Sequence, residues 1–163
     1  VTPDGRGWMV GEFGRAMETR DGGRTWAPRT ILPDEVTLFT VDLVSATEVW
    51  IGGADSTLLR SADGGATWSR SQAPCAPTQI LRVRFAGARG YAVGRRCAAV
   101  TEDGGESWRA SALGELVPYS WLYGLAVDAG GVWAAGHGER IFRGGADDHW
   151  SRVTVARQGN SAP

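Results

Sequence analysis

A chain of 163 residues, 42% hydrophobic and 21% charged, is long enough for one domain with a sizeable core, and that balance does not signal disorder. A net charge of −1 excludes the strong basic field of a nucleic-acid-binding domain. No apolar run approaches the ~18 residues of a membrane-spanning helix, so the chain is not expected to be an integral membrane protein. The outliers are 24 glycines, which favour an all-β domain rich in turns, and the use of Arg at all 17 basic positions, suited to planar contacts with carboxylates.

In chain order, the first signal is "GWMVG" at residues 7–11, followed by "TRDGGRTW" at 19–26. Both return. "VWIGG" (49–53) precedes "SADGGATW" (61–68), "GYAVG" (90–94) precedes "TEDGGESW" (101–108), and "VWAAG" (132–136) precedes "RGGADDHW" (143–150). The closing tryptophans, Trp26, Trp68, Trp108 and Trp150, are spaced by 42, 40 and 42 residues, and seven of the eight Trp fall in just two repeat columns. Each unit reads as four short strands. In the second they are 38–43, 49–53, 57–61 and 67–71; "ILRVRF" (80–85) and "WLYGLAV" (121–127) open the third and fourth. Alternation along these opening strands puts Phe39/Val41, Leu81/Val83/Phe85 and Tyr123/Leu125/Val127 on the apolar side. Thr40, Asp42, Arg82 and Arg84 fall on the other side, with Asp42 and Arg84 as an inter-unit ion pair.

A period near 40 with four strands per unit predicts an all-β β-propeller of four-stranded antiparallel blades. About four repeats are present, at roughly 1–27, 28–69, 70–109 and 110–157, with 158–163 as a tail. The first unit lacks its innermost strand, and the chain opens at Val1 without Met, as the inside of a longer product would. The sheet edge so exposed is a surface for self-association.

The repeated tract lies between strands three and four, where Asp can bond backbone N–H groups and Gly can take positive φ. Asp21, Asp63 and Asp103 are therefore read as turn staples rather than catalytic or calcium-binding groups. Trp26, Trp68 and Trp108 are expected to pack between blades. The fourth tract, with Gly145 in the Asp position and His149 in the Thr position, has decayed.

These tracts match the Asp-box pattern S/T-x-D-x-G-x-T/S-W. With the preceding strand pairs ("VGEFGRAMETRDGGRTW", "IGGADSTLLRSADGGATW") they resemble the propellers of the photosystem II assembly and stability factor family and its bacterial relatives. That resemblance implies about seven blades in all, a role in assembling a membrane complex, and a lumenal, periplasmic or exported setting.

Function is expected on the end opposite the Asp boxes, where the turns between strands two and three lie. Arg15, Arg96 and Arg140 occupy near-equivalent positions there, and with Arg95 they are candidate binding residues for a protein or peptide bearing acidic groups. Cys75 and Cys97 fall on the same end and are a candidate disulfide, which points to an oxidising compartment. The reading is a non-catalytic binding scaffold. The alternative is a glycoside hydrolase of the sialidase or xyloglucanase type drawing on Glu12, Asp34, Glu35, Asp55, Glu115 or Glu139, although no Phe/Tyr-Arg-Ile-Pro stretch of a sialidase is present. His137 and His149 lie near opposite ends of one unit, so no metal site is expected, and no cofactor motif occurs.

Overall fold

The computed structural model describes residues 1–32, 35–74, 78–113, 121–128, 131–138, 140–145 and 147–154. It forms four antiparallel sheets in chain order. The first has three strands, β1 (Gly7–Val10), β2 (Arg15–Thr19) and β3 (Ala27–Thr30). The second holds β4 (Leu38–Leu43), β5 (Val49–Gly53), β6 (Leu58–Ser61) and β7 (Ser69–Arg70), and the third β8 (Ile80–Ala86), β9 (Arg89–Gly94), β10 (Cys97–Thr101) and β11 (Arg109–Ala110). The fourth is β12 (Leu122–Asp128), β13 (Gly131–Gly136), β14 (Arg140–Gly144) and β15 (Trp150–Val153). The opening strands β4, β8 and β12 lie side by side, so each four-stranded sheet is a propeller blade with its first strand innermost, and the three-stranded first sheet is a blade without that strand. Among the described residues no helix is long and apolar enough to cross a membrane.

Three cores hold the blades together, one at each junction. Trp8 and Ala16 of the first blade meet Val49, Ile51 and Leu59 of the second. Trp50 and Leu58 meet Val83, Ala92 and Ala99 of the third, and Tyr91, Val93 and Val100 meet Val132, Ala134 and Phe142 of the fourth. The period-two pattern of each middle strand sends alternate residues to the two neighbouring blades, so strands buried on both faces read as near-continuous apolar runs.

The two aromatic columns of the sequence are one device. The second-strand aromatic of each blade stands edge-on to the Asp-box Trp of the next: Trp8 to Trp68 at 5.5 Å, Trp50 to Trp108 at 5.6 Å and Tyr91 to Trp150 at 5.7 Å. Such pairs contribute about 0.5–1.5 kcal/mol each beyond their burial. Trp26 departs from the expectation that it packs between blades. Pairing runs from each blade to the following one, and among the described residues no second-strand aromatic faces Trp26; its indole N–H instead bonds the Gly23 carbonyl at 3.1 Å.

Candidate functional site

The Asp boxes occupy the end of the propeller that closes the third and fourth strands. In the first, the Asp21 carboxylate accepts from the Thr25 N–H (2.9 Å), the Thr25 hydroxyl (2.6 Å) and the Thr19 hydroxyl (2.8 Å), while Thr19 Oγ1 accepts from the Gly23 N–H (2.9 Å). Asp63 and Asp103 repeat the pattern with Thr67 and Ser61, and with Ser107 and Thr101. These bonds, those from Thr25 foremost, hold the Asp21 carboxyl down at about 2, and the matching bonds hold Asp63 and Asp103 well below the usual carboxylate range. Carboxylates so saturated are staples with no proton to exchange near neutral pH. Three separate turns hold them, so they do not converge on one centre.

The fourth turn lacks the box and holds itself another way. Asp148, at a left-handed φ of 59° and only 4% exposed, accepts from the Trp150 indole (2.8 Å), the Ser111 hydroxyl (2.7 Å), the Ala112 N–H (3.0 Å) and Arg109 Nη1 (2.9 Å). Burial alone would raise its carboxyl. The bonds from Ser111, Trp150, Ala112 and Arg109 outweigh that and leave it lowered. Asp148 thus replaces a bond within one turn by bonds across the blade junction. Its box position is otherwise filled by Arg24, Ala66 and Glu106, so only the fold reveals its role.

At the opposite end backbone bonds tie turns to the neighbouring blade. Gly14 N–H donates to Val36 O (2.9 Å) and Ser56 N–H to Thr78 O (2.7 Å), and an antiparallel backbone bridge joins Arg95 to Trp121. Non-glycine residues take left-handed φ in three of these turns, Phe13 at 56°, Asp55 at 51° with Ser56 at 55°, and Arg96 at 52°. Sparsely populated backbone of this kind persists where surrounding bonds impose it.

Arg15 opens β2 opposite Gly11, the residue after β1, and Arg140 opens β14 opposite Gly136, the last residue of β13. In the third blade the matching register position is Cys97, opposite Gly94, so Arg96 is not the equivalent of Arg15 and Arg140. The reason is turn length: a two-residue connection, Arg95–Arg96, leaves both arginines in the turn itself, and both are exposed. The four expected arginines therefore share one end of three blades. Arg95 lies over the Trp121 ring at 5.2 Å from its centroid, and Trp121 stacks on Tyr123 at 6.0 Å and 19°.

Tyr123 is a residue whose exposure strict alternation missed. Each innermost strand carries a bulge at its second residue, between Leu38 and Thr40, Ile80 and Arg82, and Leu122 and Gly124. The extra residue resets the phase of the strand. Tyr123, expected beside Leu125 and Val127 on the apolar side, is instead 46% exposed, and Thr40, expected opposite the core, is buried. Phe39 and Leu81, at the equivalent bulge positions, are half-buried. Phe13, 61% exposed, adds an aromatic at the rim. Deeper along the innermost strands, Asp42 and Arg84 meet at 3.7 Å as the alternation predicts, and Asp42 also accepts from the Phe85 N–H at 2.9 Å. Burial pushes the Asp42 carboxyl up, with Arg84 opposing.

Cys97 is disulfide-bonded; Cys75, its expected partner, lies outside the described residues, as do Asp34, Glu115 and Glu139. The remaining candidate acids Glu12, Glu35 and Asp55 are exposed loop residues, open to the water from which a general acid needs shelter. No cluster among the described residues could hold a metal ion.

Residues 1–85, just over half of the chain, match the family described as photosynthesis system II assembly factor YCF48. The chain belongs to the Ycf48 family. The photosystem II assembly lipoprotein Ycf48 of Synechococcus sp. (strain CC9902) is 36% identical over 117 residues, 68% of this chain and 34% of that protein. The chain thus spans about a third of the length of this Ycf48. Among solved structures, Ycf48 from Cyanidioschyzon merolae superposes with a TM-score of 0.71 at 27% identity, over 94% of this chain and 53% of that one. A Ycf48 bound to D1 peptide superposes at 0.58 and 23% identity, over 90% of this chain and 64% of that one. An ancestral GH74 enzyme reaches 0.71 at 15% identity, over 94% of this chain and 25% of that one, a likeness of fold alone.

Proposed function

We propose that this chain is a non-catalytic peptide-binding scaffold acting in the assembly of a membrane complex, and that it binds through the end bearing Arg15, Arg95, Arg96 and Arg140. The observation that carries this reading is Arg95 over Trp121, with Trp121 stacked on Tyr123, on segments of two blades joined by a backbone bridge between Arg95 and Trp121. Arginine and exposed aromatics on a rigid frame are the composition of binding hot spots. The arginines would take carboxylates of the peptide in paired hydrogen bonds, and the Trp121–Tyr123 stack would take an apolar side chain. Family membership supports a protein as the ligand, and the D1-peptide complex of another Ycf48 supports a peptide segment of a photosystem subunit or its counterpart.

The test is fluorescence anisotropy with an acidic D1-type peptide. Arg95→Glu and Trp121→Ala are each expected to weaken binding by at least about tenfold, the loss for Arg95→Glu shrinking as salt rises. Equal affinity in both variants, with unchanged circular dichroism, would remove this face from the proposal. A periplasmic, lumenal or secreted setting is part of the same reading, supported by the disulfide at Cys97 and by the Synechococcus relative being a lipoprotein. Labelling of the native, unreduced chain by a thiol reagent would count against it.

A further inference from the structure

The first blade carries a residue that folding alone does not account for. Phe13 has φ 56° and ψ 37°, the left-handed region that a bulky side chain rarely adopts. It stands two residues after Gly11, as Asp55 does after Gly53 and Gly138 after Gly136, and all three positions are left-handed, at φ 56°, 51° and 75°. The turn thus takes this backbone in each of these blades. The second and fourth meet it with Asp and Gly, residue types that tolerate it, whereas the first uses Phe. Burial does not offset the strain, because the ring is 61% exposed and belongs to none of the three blade-junction cores. Gly14 follows with φ 64° and donates its N–H to Val36 O at 2.9 Å, which fixes the turn that carries the ring. Arg15, the next residue, is exposed. Arg20 and Arg29 are tied to Glu18, and Arg89 and Arg109 to Glu102, but among the described residues no carboxylate pairs with Arg15.

We propose that Phe13 and Arg15 form a second contact of the peptide-binding end, Phe13 covering an apolar side chain of the ligand and Arg15 taking a carboxylate beside it. The inference rests on the reading of the arginine-bearing end as a peptide-binding surface, and it extends that surface from the junction of the third and fourth blades to the first. Backbone strain that no contact within the chain offsets is found where binding makes use of the strained residue. An exposed aromatic and an unpaired arginine on one fixed turn suit an acidic peptide with an apolar anchor. A single ring on a chain of net charge −1 is a weak anchor for an anionic membrane, which favours a peptide over a lipid surface.

Two readouts on the same variants test it, anisotropy with the acidic D1-type peptide and the midpoint of urea unfolding. Phe13→Asn is expected to weaken peptide binding by at least about fivefold and to raise the midpoint by roughly 0.5 M, because Asn accepts the left-handed backbone. A ring that served only the fold would lower the midpoint when removed. Phe13→Tyr keeps both the ring and the strain, and should keep the wild-type midpoint and an affinity within about twofold of wild type. Arg15→Gln should weaken binding by about three- to fivefold, a difference that about 0.5 M NaCl abolishes. Wild-type affinity in Phe13→Asn, or a midpoint that does not rise, would overturn the proposal, as would a variant that loses only its binding to phosphatidylglycerol vesicles. If Phe13→Asn weakens binding while Arg95→Glu and Trp121→Ala do not, the contact at Phe13 stands and the assignment of the Arg95–Trp121 surface falls; the reverse pattern keeps that surface and removes this contact. Failure of the wild-type chain to bind the peptide would overturn both.

Discussion

Placing a single methyl group on Gly105 tests how the blades are joined. Gly104 and Gly105 both have left-handed backbone, φ 72° and 86°, so Ala at either carries a strain of about 1–2 kcal/mol. They differ in what the new Cβ meets. At Gly104 no heavy atom lies within 4 Å, while at Gly105 it would stand 2.2 Å from Cζ2 and 2.4 Å from Cη2 of Trp50, a ring with no exposed surface and so no free direction to move. Overpacking of this kind costs about 1–3 kcal/mol, so Gly105→Ala is expected to lose roughly 2–5 kcal/mol in total against about 1–2 for Gly104→Ala. With an m-value of about 2 kcal/mol/M, the urea midpoint falls by roughly 1–2.5 M and 0.5–1 M respectively. Gly65→Ala should behave as Gly105→Ala does, since its Cβ would meet Trp8 Cζ2 at 2.1 Å. Gly23→Ala should behave as Gly104→Ala does, its nearest neighbour being Trp26 at 3.8 Å. Equal midpoints for Gly104→Ala and Gly105→Ala would refute the view that Gly65 and Gly105 are needed to seat the Trp of the neighbouring blade.

Asp148→Ala should cost at least about 2 kcal/mol, because it orphans the buried Trp150 indole N–H and the Ala112 N–H at about 1–3 kcal/mol apiece; hydrogen exchange should report the loss in β14 and β15 before β5 and β6. A uniform loss across all blades would contradict a local clamp. The Asp21 carboxyl is depressed in the folded chain, from 3.8 to about 2, so its box favours folding fully above about pH 4 and loses that contribution as pH falls through about 2. Carboxyl NMR of the folded chain should give a midpoint near 2 for Asp21, and a midpoint near 4 would mean the Thr25 and Thr19 bonds do not form in solution.

The sequence alone determined the repeat, the all-β class and the strand positions, because each Asp box is closed by residues within eight positions of one another and each strand announces itself by alternation. It also located the arginine-bearing end, since an up-and-down meander must send its second turns away from its third. What it could not contain was anything set by registration between strands or between blades. A bulge adds one residue to one strand and reverses which side chains face out, so Tyr123 reads as core and Thr40 as exposed until the pairing is seen. Turn length displaced Arg96 from the register of Arg15 and Arg140 and put Cys97 there instead. The loss of the fourth box is legible, but its replacement by Asp148 is not, because the partners Ser111 and Ala112 stand 37 and 36 residues away and meet it only when two blades are packed. Short-range hydrogen bonding is written locally, whereas contacts across a junction depend on where the whole sheet lands.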